Sequence, residues 1–147
     1  MSLFVDQVKK ILFLGSSCIY PLNAENPIKE DSFMDGKLEP TNSPYAMAKL
    51  TSIELGRSIS SEYGHKIVNL MPTNLYGPND NFDINYGHVL PSLLAKFDGS
   101  LEKSEHWVVK LWGDGTAKRE FLHVDDLASA LLICMERYDS DEIINIG

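Results

Sequence analysis

The sequence predicts an α/β fold with a mainly parallel sheet. Three observations carry that expectation. Ile11–Leu14 is a continuous apolar run that ends in Gly15-Ser16-Ser17. Ser43–Tyr63 places Ala46, Leu50 and Ile53 at helical spacing and stops at Gly64. Lys66–Pro72 then reads as a second strand. Strands that alternate with helices of this kind indicate crossover units and a parallel sheet. Ligands in such sheets bind outside the carboxyl ends of the strands. Ser16 and Asn74 both stand at such ends.

Each element has its own local signal. Ile11–Leu14 carries no polar residue, as a strand buried on both faces requires. Residues 21–43 are polar and rich in Pro and Asn, and read as a long loop. A loop that long in a compact domain usually serves function. Ser43 is expected to cap the first helix, with Pro44 at its first position and Gly64 as its C-cap. Asn74 to Gly87 is expected to be turn-rich, and His88 to Phe97 is apolar at helical spacing. Val108–Trp112 reads as a short strand before a Gly113-Asp114-Gly115 turn. Arg119–Val124 reads as extended, and Asp125-Asp126 as caps of a helix from Leu127 to Arg137. Ile143–Ile146 is a last strand.

Composition excludes several classes. The chain has 147 residues, 44% of them hydrophobic and 23% charged, which is ordinary for a globular domain. Thirteen basic residues against twenty-one acidic give a net charge of −8, which disfavours nucleic acid as a partner. No apolar run approaches the roughly 20 residues of a membrane span. Asp6, Lys9 and Lys10 break the stretch where a signal peptide would need its apolar region. Two cysteines, Cys18 and Cys134, are too few for a disulfide framework, so a reducing cytoplasm is expected. No spacing of His, Cys, Asp and Glu suggests a metal site.

The chemistry centres on Tyr45-Ala-Met-Ala-Lys49. Four residues of helix place both side chains on one face, one turn apart. A Lys ammonium near a phenol favours the phenolate, so the pair can exchange a proton with a carbonyl or alcohol oxygen. Alone, such a pair is more often a solvated Tyr and Lys. Its place at the start of a helix after a long loop, and Ser16 at the end of the preceding strand, favour the reactive reading.

Four longer motifs stand in order: Leu14-Gly-Ser-Ser-Cys-Ile-Tyr-Pro21; Glu39-Pro-Thr-Asn42 with Pro44-Tyr-Ala-Met-Ala-Lys49; Met71-Pro-Thr-Asn-Leu-Tyr-Gly-Pro-Asn-Asp-Asn-Phe82; and Arg119-Glu-Phe-Leu-His-Val-Asp-Asp126. Together they resemble the GDP-L-fucose synthase family, the 3,5-epimerase/4-reductases of GDP-4-keto-6-deoxy-mannose within the extended short-chain dehydrogenases/reductases. The resemblance runs from about Val8 to Gly147 and implies part of a Rossmann-like, doubly wound sheet. It also implies an NADPH-dependent cytoplasmic enzyme that acts on a nucleotide-diphosphate sugar, as a homodimer, without nucleic-acid or membrane partners. Ser16, Tyr45 and Lys49 match the reductase triad, and Cys18 and His88 the epimerisation base and acid. Leu14, Gly15, Ser16, Ser17, Lys49, Pro72, Thr73, Asn74, Leu75 and His88 match cofactor positions. Asn74, Lys96, Trp112 and Arg119 match substrate positions. Lys96 stands where the family usually carries Arg, which loses bidentate phosphate recognition. A sister enzyme for another sugar, such as a GDP-heptose, is therefore an alternative. His65, His106, His123 and Cys134 gain no role. Ile53, Leu55 and Leu93 are candidate surface residues for an oligomeric contact, which would also suit a catalytically silent interaction module.

The resemblance further implies that residues 1–147 form the middle of a longer domain. The family's glycine-rich fingerprint lies upstream of the segment that matches Ile11–Ser17, and the family continues beyond the match to Gly147. Met1-Ser2-Leu3 reads as an expression leader or the start of a truncated frame. A pyrophosphate is gripped by a glycine-rich turn at a helix N-terminus. The ten glycines of this chain are scattered, and none builds that turn. Calorimetry on the 147-residue chain alone is therefore expected to show no micromolar NADPH binding, and a micromolar Kd would contradict this reading.

Overall fold

The computed structural model describes residues 8–101 and 108–147. Met1-Ser2-Leu3 and His106 lie outside them. In chain order the elements are β1 (Lys10–Leu14), α1 (Ser43–Tyr63), β2 (Lys66–Pro72), β3 (Asn74–Tyr76), α2 (Val89–Leu101), β4 (Phe121–His123), α3 (Val124–Arg137) and β5 (Ile143–Ile146). Single 3-10 turns form at Ser17–Ile19 and Glu30–Ser32. The chain divides into two compact units. One runs to Thr73 and resumes at Asp125; the other is Asn74–Val124.

The first unit is built on a parallel sheet in the order β1-β2-β5. Leu14 stands opposite Leu70, and Pro72 opposite Ile146. β2 is therefore the central strand, and every residue from Ile67 to Pro72 is buried. β1 was expected to be covered on both faces; it is an outer strand among the described ones, and its Ile11 is 37% exposed. An apolar run records that a strand is buried on average, not which neighbour it pairs with. A core of Ile19, Tyr20, Leu50, Ile53, Met71 and Ile143 covers the sheet. Ala24, Ile28, Phe33 and Leu38 of the long loop pack against it, so that loop is part of the wall. The Arg57 guanidinium lies 4.7 Å from the centre of the Phe33 ring, holding the loop to α1.

The ends of α1 differ in how well the sequence forecast them. Gly64 ends it as expected, in the left-handed region at φ 71°, with its N–H on the Ser60 carbonyl. At the start, Ser43 is already helical and Pro44 occupies the first turn, while Asn42 is the cap and makes no side-chain bond. The polar work is done further upstream. The Glu39 carboxylate accepts the amides of Thr41 and Asn42 at 3.1 and 2.9 Å and the Thr41 hydroxyl at 2.6 Å. These bonds, the hydroxyl first, hold its carboxyl below the usual range. Ile53 faces the core and is fully buried, so it is no surface contact; helical spacing from Leu50 and Ala46 carries it inward. Leu55 is 54% exposed.

α3 begins at Val124, earlier than expected, and places Asp125 and Asp126 in its first turn, where acidic side chains suit the helix dipole. Its last turn is held by Lys10, whose amine donates to the carbonyls of Cys134 and Met135 at 3.1 and 2.8 Å. Asp139 pairs with Lys66 at 2.7 Å and with Lys10 at 3.1 Å, and both contacts hold its carboxyl below the usual range.

In the second unit β3 and β4 pair in parallel, with Asn74 opposite Phe121 and Tyr76 opposite His123. A short strand thus opens the stretch expected to be turn-rich. Three residues are too few to show a period, and their partner lies more than forty positions away. Arg119–Val124 was expected to be extended; Phe121–His123 are strand, and Val124 is helical. Val108–Trp112 is not a strand. No described strand pairs with it, and Trp112 is 74% exposed. Gly113 and Gly115 turn the chain immediately afterwards at φ 80° and 82°. The Ile53→Ala variant is expected to lose about 2–5 kcal/mol in a urea titration, whereas Leu55→Ala should stay within about 0.5 kcal/mol; equal losses would contradict the assignment of the two faces.

Candidate active site

The carboxyl end of β1 carries the first group of candidate residues. The Gly15 amide bonds the Leu70 carbonyl at 2.8 Å, so the chain leaves β1 in close contact with β2. A side chain here would overlap the thioether of Met71, and Met71 is itself buried. Ser16 is extended, at φ −164° and ψ 148°, and its Oγ accepts the Cys18 amide at 3.3 Å. That bond leaves the hydroxyl proton to donate elsewhere. Ser17–Ile19 then make one 3-10 turn, with Ser16, Ser17 and Cys18 half-buried and Ile19 in the core.

The first turns of α1 carry the second group. Tyr45 is 51% exposed. The Lys49 amine donates to the Leu14 carbonyl at 2.7 Å. It also lies 5.6 Å from the centre of the Tyr45 ring and 5.3 Å from that of Phe13. One cation thus joins the strand end that leads into Ser16 to the ring expected to move a proton. Pro72 closes β2, and the Thr73 amide bonds the Ile146 carbonyl at 3.0 Å. The Thr73 Oγ1 is buried and finds no hydrogen-bond partner among the described residues. An orphaned hydroxyl at this strand end, on the stretch matched to the nicotinamide, fits a bound polar ligand.

The remaining candidates belong to the second unit. Asn74 and Leu75 lie on β3, and the Asn74 side-chain amide donates to the Glu120 carbonyl at 3.0 Å. His88 immediately precedes α2, and its carbonyl accepts the Ser92 amide at 3.0 Å. The Lys96 amine stands 4.4 Å from the centre of the Trp112 ring. Arg119 turns one guanidinium nitrogen onto the Lys118 carbonyl at 2.8 Å. Ser16, Cys18, Tyr45 and Lys49 are thus carried by one unit and His88 by the other. Among the described residues no group of His, Cys, Asp and Glu could hold a metal ion, and no helix is long and apolar enough to cross a membrane. Cys18 and Cys134 are unpaired.

Two participants escaped the sequence reading. The Leu14 carbonyl is main chain and gives no residue-type signal. The buried Tyr20 donates its hydroxyl to Asn145 Oδ1 at 2.6 Å. Burial, and then the charge of Glu30, push its phenol up to about 12, against the smaller opposing effect of the Asn145 bond.

A parallel sheet with Ser16 after β1, Thr73 after β2, and Tyr45 and Lys49 on the helix between them is an arrangement of the Rossmann-like α/β class. The chain belongs to the NAD dependent epimerase/dehydratase family, which it matches over residues 2–147. Within it, the chain is similar to the GDP-L-fucose synthase of Escherichia coli K12, with 50% identity over 131 residues, 89% of this chain and 40% of that protein. Among solved structures it resembles a GDP-L-fucose synthetase from Naegleria fowleri bound to NADP, with a TM-score of 0.83 and 35% identity over 95% of this chain and 45% of that one. It also resembles the GDP-mannoheptose C4 reductase from Campylobacter jejuni with NADP bound, with a TM-score of 0.85 and 32% identity over 98% of this chain and 53% of that one. The chain spans less than half the length of the curated GDP-L-fucose synthases it matches.

The Tyr20 phenol has a pH consequence. The unfolded chain releases this proton near 10, and the folded chain near 12. Its contribution to stability is therefore complete below pH 10 and is lost as pH rises toward 12. Urea midpoints are expected to fall more steeply across that window for the parent than for Tyr20→Phe, and parallel curves would contradict the assignment.

Proposed function

We propose that the complete protein carrying this chain is an NADPH-dependent epimerase/reductase that inverts C3 and C5 and reduces C4 of a GDP-4-keto-6-deoxy-hexose, yielding GDP-L-fucose. The observation that carries this is Lys49, bonded to the Leu14 carbonyl and standing beside the Tyr45 ring. The similarity to GDP-L-fucose synthases supports the choice of sugar nucleotide.

In this reading the cofactor is held by Leu14, Gly15, Ser16, Ser17, Lys49, Pro72, Thr73, Asn74, Leu75 and His88, and when bound it supplies hydride for C4. Tyr45 gives its phenolic proton to the C4 oxygen. The nearby Lys49 cation offsets the charge left on the phenol oxygen. Ser16 donates its hydroxyl proton to the same carbonyl oxygen and orients it. Cys18 as thiolate removes the proton from a carbon next to that carbonyl, where the electron pair is delocalised onto oxygen. His88, the residue the resemblance pairs with it, returns a proton to the opposite face. Asn74, Lys96, Trp112 and Arg119 bind the substrate, with the two cations drawn to its diphosphate and Trp112 offering a flat apolar face. The cysteines are unpaired, as a reducing compartment keeps them, and we place the enzyme in the cytoplasm, as a homodimer.

A second reading rests on Lys96. It presents a point charge above Trp112 rather than a guanidinium fork, and the heptose reductase is among the similar structures. A panel of GDP-4-keto-6-deoxy-hexose and GDP-4-keto-heptose substrates separates the two readings by kcat/KM. In the complete enzyme, Tyr45→Phe is expected to lower NADPH oxidation with the preferred 4-keto sugar by about 100-fold or more. Parent-level turnover in that variant would overturn the assignment.

A further inference from the structure

We propose that Tyr20 and Asn145 form a clamp that positions the Ser16–Cys18 turn, an inference that rests on the function proposed above for those two residues. The turn cannot hold its own place. It is one 3-10 turn whose bonds, Ile19 amide to Ser16 carbonyl, Tyr20 amide to Ser17 carbonyl and Cys18 amide to Ser16 Oγ, measure 3.2, 3.3 and 3.3 Å. Short 3-10 segments have poor hydrogen-bond geometry and little cooperativity. With the Ile19 side chain fixing its depth in the core, the placement of Ser16 and Cys18 is set by what grips the two ends of the turn.

The entry is gripped by β2, through the Gly15 amide on the Leu70 carbonyl at 2.8 Å, and by Lys49 on Leu14 at 2.7 Å. The exit is gripped by β5. Tyr20 follows the turn directly, its ring is buried, and its hydroxyl reaches Asn145 Oδ1 at 2.6 Å. Asn145 holds more than Tyr20. Its Nδ2 donates to the Ile28 carbonyl at 3.2 Å, and its backbone amide donates to the Glu30 carboxylate at 2.9 Å. One residue thus ties the exit of the turn and the following loop to the end of β5, and the turn spans all three strands of the sheet.

The donor pattern accounts for both residue types. The Ile28 carbonyl can only accept, so the Asn145 NH₂ group must face it, which turns Oδ1 toward Tyr20. Tyr20 must then donate, which it does as an intact phenol. Aspartate at 145 would keep an acceptor for Tyr20 but set a carboxylate oxygen against the Ile28 carbonyl and beside Glu30. Phenylalanine at 20 would keep the buried ring and remove only the grip.

The test uses the complete enzyme with Tyr20→Phe and, separately, Asn145→Asp, each measured for kcat, KM, melting temperature and the pH profile of Cys18 alkylation, read on the Cys18 peptide by mass spectrometry. Tyr20→Phe is expected to lower kcat by about 10- to 100-fold with KM little changed, as for a small displacement of reacting groups. It should also make Cys18 alkylate several-fold faster with a shifted pH profile, as the turn opens. Asn145→Asp should do the same. A lower melting temperature with parent kcat and a parent alkylation profile would assign the pair to stability alone and overturn the proposal. If the parent itself turns over no 4-keto sugar nucleotide, the proposed function fails. The alkylation profile still decides the clamp: a changed profile supports it, and an unchanged one overturns it.

Discussion

The bond from the Lys49 amine to the Leu14 carbonyl is the contact on which the candidate site of the first unit turns. A half-buried ammonium needs partners, and this one has a carbonyl at 2.7 Å and two aromatic rings. The carbonyl belongs to the last residue of β1, one residue before the chain turns through Gly15. The side chain reaches it from α1, across the loop of residues 21–43. The buried face of α1, with Ala46, Leu50, Ile53 and Gly56, fixes a layer but not an angle at Tyr45. A polar, directional bond sets the geometry that packing leaves free.

Packing does its part at the other side of the same chain. The core consists of residues from β2, β5, α1 and the Ser17–Ile19 turn, completed by Ala24, Ile28, Phe33 and Leu38 of the long loop. The loop follows its own backbone and yet buries apolar side chains like a helix would. Asn145 holds it through its amide on Glu30 and its side chain on the Ile28 carbonyl, and Arg57 holds it over Phe33. Ser16, Cys18, Tyr45 and Lys49 therefore stand on segments packed against this core, as the proposed chemistry requires of preorganised groups.

Legibility in the sequence followed the range of the interaction responsible. Gly64, Lys66–Pro72 and Ile143–Ile146 were readable because the signal is local: a left-handed cap or an apolar run. The start of α1 was misplaced by one residue: Asn42 is the cap without a side-chain bond, and Glu39 instead orders the chain just ahead of the helix by accepting the Thr41 and Asn42 amides. β3 was missed, and Val108–Trp112 wrongly expected as a strand, for one reason: pairing partners are chosen in space. The Tyr-x-x-x-Lys pair and Ser16 were readable as residue types. The carbonyl that Lys49 holds and the Asn145 that meets Tyr20 were not, because a main-chain oxygen and a strand asparagine carry no pattern.

The net charge of −8 acquires a finer meaning from the same contacts. Lys10 and Lys66 are committed to Asp139, and Lys10 also to the end of α3. Arg57 pairs with Glu54 and covers Phe33, and Lys49 serves Leu14. In the first unit, then, these cations hold carbonyls and carboxylates of the protein itself. In the second unit Lys96 faces an aromatic ring, and Arg119 turns one nitrogen to a carbonyl while its guanidinium carries further donors. An acidic chain that recognises a diphosphate must concentrate its attraction in a few groups, since its overall field repels anions. On the proposed reading, proton-transfer chemistry belongs to Cys18, Tyr45 and His88, and anion recognition to Lys96 and Arg119. A change of substrate can then proceed through the second unit alone, with the Lys49 bond and the turn it supports left in place.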